Sequence, residues 1–360
     1  MLVIVYGSEY SYFTGKLEAY LRFKGIRYER RPLGVRMYTR TLPRLLGGAQ
    51  LPTVLLPDGR WMTDTTPMIA WLEEQHPEPA VIPLDPLQRF LALLVEDFGD
   101  EWLWRPAMHH RWSNAVDREL RSRQLADELV ALPLPLALRR RWFARRQARL
   151  FVAGDGVDGR TRAHVEASYE RVLAILEPVL AERPFLLGGR PTVADYGLYG
   201  SMFRHFGLDP TPARIMRVRA PAVSEWVARV WNARAGRIGG AELCAGFPAD
   251  LEPLLREAGE THLEMLAANA AAHAAGLRRH DFTVQGTTYR EVPTSAYRVW
   301  ALDRLRHAFD DLPDGPRAEC RRLLTAAGAL EPLLRVGELR SGHDPDGKAP
   351  FSRVARMVRD

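Results

Sequence analysis

Residues 1–29 read MLVIVYGSEYSYFTGKLEAYLRFKGIRYE, and this stretch decides the fold. The short apolar run at residues 2–6 is rich in β-branched side chains and is bounded by Gly7, which predicts a buried strand. Residues 14–24 carry apolar side chains at helical spacing, and Gly25 is a typical residue for the end of a helix. The sequence therefore predicts a strand that enters a helix through a short turn, and Ser11 and Thr14 lie at this turn.

Patterns typical of short strands and helices continue to residue 79. Residues 26–33, IRYERRPL, predict a second strand, and residues 36–47 are expected to be helical or irregular. Residues 50–64, QLPTVLLPDGRWMTD, predict a hairpin around a PDG turn. Residues 65–79, TTPMIAWLEEQHPEP, have threonine and proline at the start and His76-Pro77 near the end, which predicts a helix. The predicted order is strand, helix, strand, helix, strand, strand, helix.

The rest of the chain is predominantly helical in its periodicity. Residues 86–246 predict a helical domain, with a proline-rich interruption inside residues 126–150. Thr192 and Asp195 have the spacing of a capping box at the start of one of its helices. Residues 250–360 predict a further mostly helical segment with a strand-like piece at residues 281–291. We therefore expect three units, at residues 1–80, 86–246 and 250–360, which a length of 360 residues allows.

Composition excludes several classes of protein. Hydrophobic residues make up 46% and charged residues 26%, as in a globular protein with a substantial core. The net charge of +6 permits acidic ligands without requiring nucleic acid. The 2 cysteines offer neither a disulfide framework nor metal-ligand spacing. The N-terminal apolar run is too short for a signal peptide, and we expect a soluble, cytoplasmic protein without a membrane span.

Four pieces of the sequence, in this order, resemble the cytosolic glutathione S-transferase superfamily. They are SYFT at residues 11–14, Leu51-Pro52, TDTTPMIAWLEEQHPEP at residues 63–79 and RPFLLGGRPTVADYGLYG at residues 183–200. The resemblance covers residues 1 to roughly 240 and says nothing about the segment that follows. It implies an α/β thioredoxin-like N-terminal domain followed by an all-α domain, and Pro52 as the cis-proline that starts a strand. It also implies glutathione, or another low-molecular-weight thiol, as co-substrate.

The resemblance assigns the catalytic role to a hydroxyl at the start of the first helix. A thiol is a poor nucleophile until it ionises, and a hydroxyl donor beside a helix N-terminus favours the thiolate. Ser11 matches the first position of the family's turn and is the preferred candidate, although it also suits a simple helix cap. Tyr6, at the end of the first strand, is an alternative, as are Tyr10, Tyr12 and Thr14. Because this turn has no cysteine, a glutaredoxin-like activity is not expected.

The resemblance also implies where the rest of the thiol ligand binds. The backbone of Leu51, before Pro52, is expected to pair with the cysteinyl unit like a strand. Thr65, at a helix N-terminus, suits the carboxylate of a γ-glutamyl unit, and Asp64 suits its ammonium group. Asp64, Thr65 or Thr66 is equally suited to cap the third helix.

An electrophile pocket is expected between the two domains, within residues 95–112, VEDFGDEWLWRPAMHHRW. Its candidate lining residues are Tyr12, Asp100, Trp104, Met108 and Arg111. Two pairs of acids four residues apart would repel each other, so we expect Arg105, Arg111 or a ligand to neutralise them; the pairs are Glu96 with Asp100 and Asp97 with Glu101. Interdomain packing explains the same residues. The adjacent His109 and His110 point apart on a helix, and no metal is expected.

Residues 138–149, LRRRWFARRQAR, mix arginines with aromatic residues, and we expect a solvated helix face with a buried Trp142–Phe143 edge rather than a nucleic-acid site. The favoured function is conjugation or isomerisation of a small electrophile by a homodimeric enzyme. The alternatives are a non-catalytic binding or scaffold protein of the same fold and a biosynthetic enzyme that uses the same thiol site. The sequence leaves the role of residues 250–360 open.

Overall fold

A computed structural model describes residues 2–129 and 135–352 of the chain. The first unit contains the elements β1 (Leu2–Tyr6), α1 (Tyr12–Lys24), β2 (Arg27–Arg31), α2 (Leu42–Leu46), β3 (Thr53–Leu55), β4 (Trp61–Thr63) and α3 (Thr65–Gln75). A π-helical turn, Met37–Thr41, precedes α2. The strand and helix order predicted from the sequence is therefore confirmed.

The strands form one mixed sheet in the order β2-β1-β3-β4. β1 runs parallel to β2 and antiparallel to β3, so Val5 pairs with Arg30 on one side and with Val54 on the other. Alternation along β1 directs Val3 and Val5 into the main core, whereas Tyr6 lies on the other face of the sheet, beside α2. The result is the thioredoxin-like fold expected for this part of the chain.

The second unit is entirely helical in the described residues. Its helices are α4 (Pro86–Asp97), α5 (Trp104–Ser113), α6 (Ala115–Leu129), α7 (Leu136–Phe151), α8 (Arg162–Glu182), α9 (Val193–Ser201), α10 (Pro210–Arg219), α11 (Pro221–Asn232) and α12 (Ala235–Ile238). A π-helical turn, Phe98–Trp102, joins α4 to α5. α9 crosses α4 so closely that a Cβ atom on Gly197 would lie 2.4 Å from the Cα atom of Glu96, so glycine is required at this crossing.

Two expectations for the arginine-rich helix α7 have different outcomes. Phe143 is buried as expected, but Trp142 is 45% exposed, so the predicted Trp142–Phe143 edge is only half buried. Trp142 follows three consecutive arginines and lies on the outer face of α7, whereas Phe143 packs its ring against Trp112 of α5. The proline-rich interruption predicted before α7 falls on residues 130–134, outside the described residues.

The third unit, called the extension below, contains α13 (Glu252–Glu257), α14 (Glu264–Ala274), β5 (Arg279–Val284), β6 (Thr287–Pro293), α15 (Ala296–Asp310), α16 (Asp314–Ala326) and α17 (Leu330–Leu334). The strand-like piece expected at residues 281–291 is an antiparallel hairpin of β5 and β6. The extension shares one hydrophobic core with the other two units. Among the described residues, no helix has the length and apolar character needed to cross a membrane.

Candidate functional site

Ser11 caps the first helix. Its backbone is extended, at φ −85° and ψ 129°, and its Oγ atom accepts a hydrogen bond from the backbone N–H of Thr14 at 3.3 Å. A serine hydroxyl has one donor hydrogen and two acceptor lone pairs, so this cap leaves the hydrogen free to donate. The side chain is partly exposed at the N-terminus of a 13-residue helix, where the helix dipole favours negative charge. Capping and thiolate binding are therefore compatible in one residue.

Two buried arginines of the helical domain hold the backbone of the turn before Ser11. Arg204 donates from Nη1 to the carbonyl oxygen of Ser8 at 2.8 Å. Arg111 donates from Nη1 to the carbonyl oxygen of Tyr10 at 2.7 Å. Both arginines are almost inaccessible to solvent, so these bonds fix the turn against the helical domain. The positioning role of Arg204 was not foreseen from the sequence, where nothing links it to residue 8.

Arg111 was expected in the substrate pocket, but the structure places it behind the turn. Its guanidinium forms a bidentate pair with the Asp209 carboxylate, at 2.8 and 3.2 Å, and it is 2% exposed. Arg121 shares the same carboxylate. With its donors occupied by protein acceptors, Arg111 supports the turn and does not face a cavity.

The other candidate hydroxyls lie in different surroundings from Ser11. The ring of Tyr6 lies 5.5 Å from the ring of Trp61, on the α2 side of the sheet. Thr14 is fully buried, with its side chain close to the backbone of Gly7. The Tyr12 hydroxyl donates to the carbonyl oxygen of Gly99 in the domain interface, and burial raises its pKa well above the ordinary value. Ser11 is thus the hydroxyl best placed to meet a ligand at the start of α1.

The second wall of the site comes from β3, β4 and α3. The Leu51–Pro52 peptide bond is cis, as the resemblance implies. Asp64 lies between β4 and α3 with a positive φ of 69°, and its carboxylate accepts a hydrogen bond from the backbone N–H of Thr66 at 3.3 Å. Asp64 is therefore the cap of α3. Thr65, the first residue of α3, is only 3% exposed.

The acidic residues Glu96 and Asp100 are neutralised by Lys16, not by Arg105, Arg111 or a ligand. The Lys16 ammonium lies 2.6 Å from Glu96 Oε1 and 2.5 Å from Asp100 Oδ2, with all three side chains buried. Thr66 completes this network by donating from Oγ1 to Glu96 at 2.9 Å. Asp100 therefore belongs to a buried ionic contact that joins α1 and α3 to the helical domain.

The charges of this network do not balance, because one ammonium faces two carboxylates. Burial alone would lower the pKa of Lys16, but the carboxylates of Asp100 and Glu96 raise it above the ordinary value. Burial raises the pKa of Asp100 well above its ordinary range, although the nearby Lys16 opposes this. Lys16 is therefore cationic, and burial favours the protonated form of Asp100.

Asp97 and Glu101 face the extension. His262 lies with Nε2 2.7 Å from Asp97 Oδ2, and Arg298 lies with Nε 3.4 Å from Glu101 Oε2. Arg105, which was expected to neutralise one of these acid pairs, instead binds Asp155 at 3.0 Å. The two pairs of acids in α4 and the following turn thus face two different units of the molecule.

An aromatic surface follows Ser11 along α1. The ring of Phe13 stacks on Trp104 with centroids 5.8 Å apart, and Phe151 meets the edge of Trp104 at 5.7 Å. All three are partly exposed. Trp104 and Tyr12 were both expected here, and their ring centroids lie 5.8 Å apart, but Tyr12 is buried, so Phe13 is the partly exposed partner of Trp104. Met108 lies in the main core and is 6% exposed. A signal for Phe13 existed in the sequence, since helical geometry sends adjacent residues to different faces.

Two depressions in the surface lie away from Ser11. One, of about 680 Å³, lies between α6 and α7, and the other, of about 630 Å³, lies between α1, β2 and α11. Neither is lined by Ser11, Asp64 or Thr65, and Arg204, which holds the turn before Ser11, lines the second depression. In residues 2–129 and 135–352, no group of three His, Cys, Asp or Glu side chains is arranged to hold a metal ion.

The extension reaches the second wall of the site. The backbone N–H of Thr63 donates to the carbonyl oxygen of Pro350 at 2.9 Å. The ring of Phe351 lies 5.4 Å from the ring of Trp71 in α3. Burial raises the pKa of Asp64 to about 6, while the charges of Arg304 and Lys16 and the Tyr297 hydroxyl oppose the shift. No pattern in the sequence predicts these contacts, because the two segments lie more than two hundred residues apart.

Two family models match the chain. The model of the glutathione S-transferase N-terminal domain matches residues 5–80, and the model of the glutathione S-transferase C-terminal domain matches residues 158–233. The first match includes Ser11, Pro52, Asp64 and Thr65, and the second includes the capping box of α9.

Solved structures of similar fold include a glutathione S-transferase from Methylobacterium radiotolerans JCM 2831 in complex with glutathione sulfonate. The two chains are 20% identical with a TM-score of 0.39, and the match covers 64% of this chain and 91% of the other. A GST-like protein from Pseudomonas syringae is 20% identical with a TM-score of 0.42, and the match covers 69% of this chain and 77% of the other. A β-etherase from Sphingobium sp. strain SYK-6 is 16% identical with a TM-score of 0.44, and the match covers 64% of this chain and 95% of the other. At these scores the likenesses carry no argument about function, and membership of a family rests on the domain models.

Proposed function

Because the chain belongs to the glutathione S-transferase superfamily, whose two domain models match residues 5–80 and 158–233, we propose that it binds glutathione or a related thiol and activates the sulfur for reaction with a small electrophile. The single observation that carries this proposal is the geometry of Ser11, a partly exposed cap whose hydroxyl hydrogen is free at a helix N-terminus.

The Ser11 hydroxyl donates to the sulfur of the bound thiol and stabilises its thiolate form. A thiol with a pKa of about 8.5 is only a few per cent ionised at pH 7. A hydrogen bond to the thiolate and the dipole of α1 both lower this pKa, and a shift of about 2 units makes the thiolate the main form. The thiol proton passes to solvent. The thiolate then forms a bond to an electrophilic carbon while a leaving group departs, or adds to a double bond that takes up a proton from solvent; in an isomerisation the thiolate adds and leaves again.

The remaining site residues bind the thiol ligand, offer a surface to the electrophile and position the turn before Ser11. The backbone of Leu51, before cis-Pro52, pairs with the cysteinyl unit, while Asp64 and Thr65 bind the γ-glutamyl unit. Phe13, Trp104 and Phe151 offer an apolar surface beside Ser11 for the electrophile. Arg111 and Arg204 position the turn through the carbonyls of Tyr10 and Ser8.

A non-catalytic binding role is the second candidate, and one observation favours it. Thr65 is 3% exposed and the extension lies against Asp64, so the second wall of the site is largely covered. A protein of this fold that binds a thiol without turnover would tolerate such a cover. A biosynthetic enzyme with one dedicated electrophile is compatible with the same geometry.

The test is a calorimetric titration of the wild type, Ser11→Ala and Ser11→Thr with glutathione, with the ultraviolet absorbance of the thiolate followed in the same samples. We expect all three to bind. At pH 7 the thiolate signal should appear with the wild type and Ser11→Thr, which keeps a hydroxyl, and the apparent thiol pKa should rise by about 1–2 units in Ser11→Ala. Unfolding in urea separates the loss of the cap, about 1 kcal/mol, from the loss of the donor.

A thiolate signal that is the same in the wild type and Ser11→Ala would remove Ser11 from the mechanism. Binding without any thiolate signal in the wild type would favour the non-catalytic role. Failure of the wild type to bind glutathione would contradict the choice of thiol.

A further inference from the structure

A groove between the consecutive helices α6 and α7, called the α6–α7 groove below, lies on the surface of the helical domain. Its volume is about 680 Å³, within the range of about 300–1,000 Å³ that is typical of small-molecule sites. The described residues that line it are five arginines, four alanines, one serine and one glutamate. The arginines are Arg118 and Arg123 of α6 and Arg140, Arg141 and Arg145 of α7. Two helices of one domain normally meet through large apolar side chains, so this composition indicates another role.

The hydrophobic core holds the two walls of the groove from behind. On α7, Phe143 is buried and its ring meets the edge of Trp112 of α5 with centroids 5.8 Å apart. On α6, the buried residues Leu125 and Ala126 face the same core. Ala144 lies in the wall itself, and its short side chain leaves the space between the helices open. The groove is therefore built into the packing of the helical domain.

Three of the five arginines have no partner in the protein. Within the described part of the chain, the guanidinium groups of Arg118, Arg141 and Arg145 form no hydrogen bond and no salt bridge. Arg123 differs, because it pairs with Glu119 one turn earlier on α6. Arg141 and Arg145 lie four residues apart on one helix, and like charges at this spacing repel each other. The lining residues thus carry positive charge that the described residues do not neutralise.

We propose that the α6–α7 groove binds a small molecule that carries at least two linked phosphate groups. This inference goes beyond the proposed function and does not depend on it. A guanidinium presents a planar fork of N–H donors that matches the oxygen atoms of a phosphate, and the resulting charge-assisted hydrogen bonds are strong. Two phosphate groups carry about three negative charges near pH 7, which balances the three guanidinium groups without a protein partner.

The lining of the groove argues against other kinds of ligand. Among the described lining residues, no apolar side chain is larger than alanine, so an apolar molecule would gain little from burial there. Single-stranded nucleic acid binds through aromatic side chains that stack on its bases. Trp142, the exposed aromatic residue of α7, is not among the residues that line the groove. A compact phosphate anion is therefore the occupant that this charge and volume favour.

The experiment is a calorimetric titration of the full-length protein with pyrophosphate and with ADP, at pH 7 and about 0.1 M NaCl in a phosphate-free buffer. The variants are Arg118→Gln and Arg145→Gln, one from each wall. The matched control is Arg146→Gln, whose exposed side chain is adjacent in sequence but does not line the groove. We expect one pyrophosphate to bind per chain, about 10-fold or more weaker binding in each groove variant, and a change of less than about 2-fold in the control.

ADP distinguishes the two sources of a diphosphate. Equal affinity for pyrophosphate and ADP would show that the phosphates alone are recognised, and tighter binding of ADP would show that the nucleoside adds contacts; both results support the inference. Urea unfolding provides a second readout, because a ligand that binds only the folded state stabilises it. Pyrophosphate should raise the unfolding midpoint of the wild type but not that of a variant with both Arg118→Gln and Arg145→Gln.

Three results would overturn the inference. A wild type that binds neither diphosphate would show that the groove is not an anion site. Equal weakening in Arg145→Gln and Arg146→Gln would show that the ions respond to the general positive charge of α7. A short single-stranded oligonucleotide that bound more tightly than either diphosphate would identify nucleic acid as the occupant. None of these results affects the Ser11 proposal, which is tested with thiols.

Discussion

Asp64 combines three physical constraints in one side chain. It caps α3, it occupies a left-handed backbone conformation at φ 69°, and burial raises the pKa of its carboxyl group although the charges of Arg304 and Lys16 oppose this. Aspartate and asparagine tolerate this conformation better than most residues and are both good helix caps. Asparagine is therefore a substitution that removes the charge and preserves the geometry.

Asp64→Asn should make the stability of the protein less dependent on pH. The pKa of Asp64 is raised to about 6, above the value of about 3.9 in an unfolded chain. The folded state therefore binds the proton more tightly, and the free energy of unfolding falls as the pH rises from about 4 through 6. Relative to the wild type, Asp64→Asn should gain up to about 3 kcal/mol between pH 4 and pH 7, measured by urea unfolding.

Asp58→Asn is the control with the opposite sign. Hydrogen bonds from Arg60 lower the pKa of Asp58, so this carboxylate favours the folded state as the pH rises. The stability of Asp58→Asn relative to the wild type should fall as the pH rises towards about 5 and should stay constant above that pH. A stability difference for Asp64→Asn that stays constant from pH 4 to pH 7 would contradict the raised pKa.

Among the elements, helix α9 begins at the capping box that the sequence predicted, and its Asp195 side chain accepts several buried hydrogen bonds. Asp195 is fully buried and accepts hydrogen bonds from the backbone N–H of Thr192 at 2.9 Å, from that of Leu186 at 3.0 Å and from the indole of Trp226 at 3.0 Å. The capping box explains only the first of these bonds. The other two connect the start of α9 to the loop before it and to α11.

Asp195→Ala should destabilise the protein by about 3–6 kcal/mol, because three buried donors lose their acceptor. Ser295→Ala, which removes the cap of α15, should cost only about 1 kcal/mol. Both values are measured by urea unfolding at pH 7. Equal costs for the two substitutions would show that Asp195 acts as a cap alone.

At the scale of the whole molecule, a buried ionic network holds the first domain against the helical domain. Lys16 is 0% exposed, and its partners Glu96 and Asp100 come from another unit of the chain. Desolvation of charged groups is costly, and the network is favourable only while the ammonium is present. Its position behind the start of α1 makes it part of the support for Ser11.

Lys16→Met should destabilise the protein by about 3–5 kcal/mol, since two buried carboxylates would face each other without a cation. Adding Asp100→Asn should recover part of this loss by removing one of the two charges. The control is Lys348→Met, whose ammonium is 67% exposed and pairs with Asp346, and for which a change near zero is expected. If Asp100→Asn worsened the Lys16→Met variant in urea unfolding, repulsion between the carboxylates would not be the cause.

Assembly and location stay predictions. A homodimer and a cytoplasmic protein are expected from the sequence, and sedimentation of the purified protein tests the first. The division into units at residues 1–80, 86–246 and 250–360 also stays a prediction, since the three parts share one hydrophobic core.

The sequence by itself determined the features that depend on neighbours along the chain. The order of strands and helices in the first domain, the cap at Ser11, the capping box of α9 and the strand-like piece of the extension all follow from residues a few positions apart. Such patterns are readable because backbone hydrogen bonds and side-chain periodicity act over one or two turns. The same local rule directs Phe13 to a different face of α1 from the buried Tyr12.

Only the tertiary structure decided which distant groups meet. Lys16 pairs with Glu96 and Asp100, which lie 80 and 84 residues away in the sequence, and His262 pairs with Asp97 across 165 residues. The choice of Lys16 over Arg105 and Arg111, and the contact of Pro350 with Thr63, depend on how whole elements pack. A charge in the sequence shows that a partner is needed, but its identity is set by burial and distance in three dimensions.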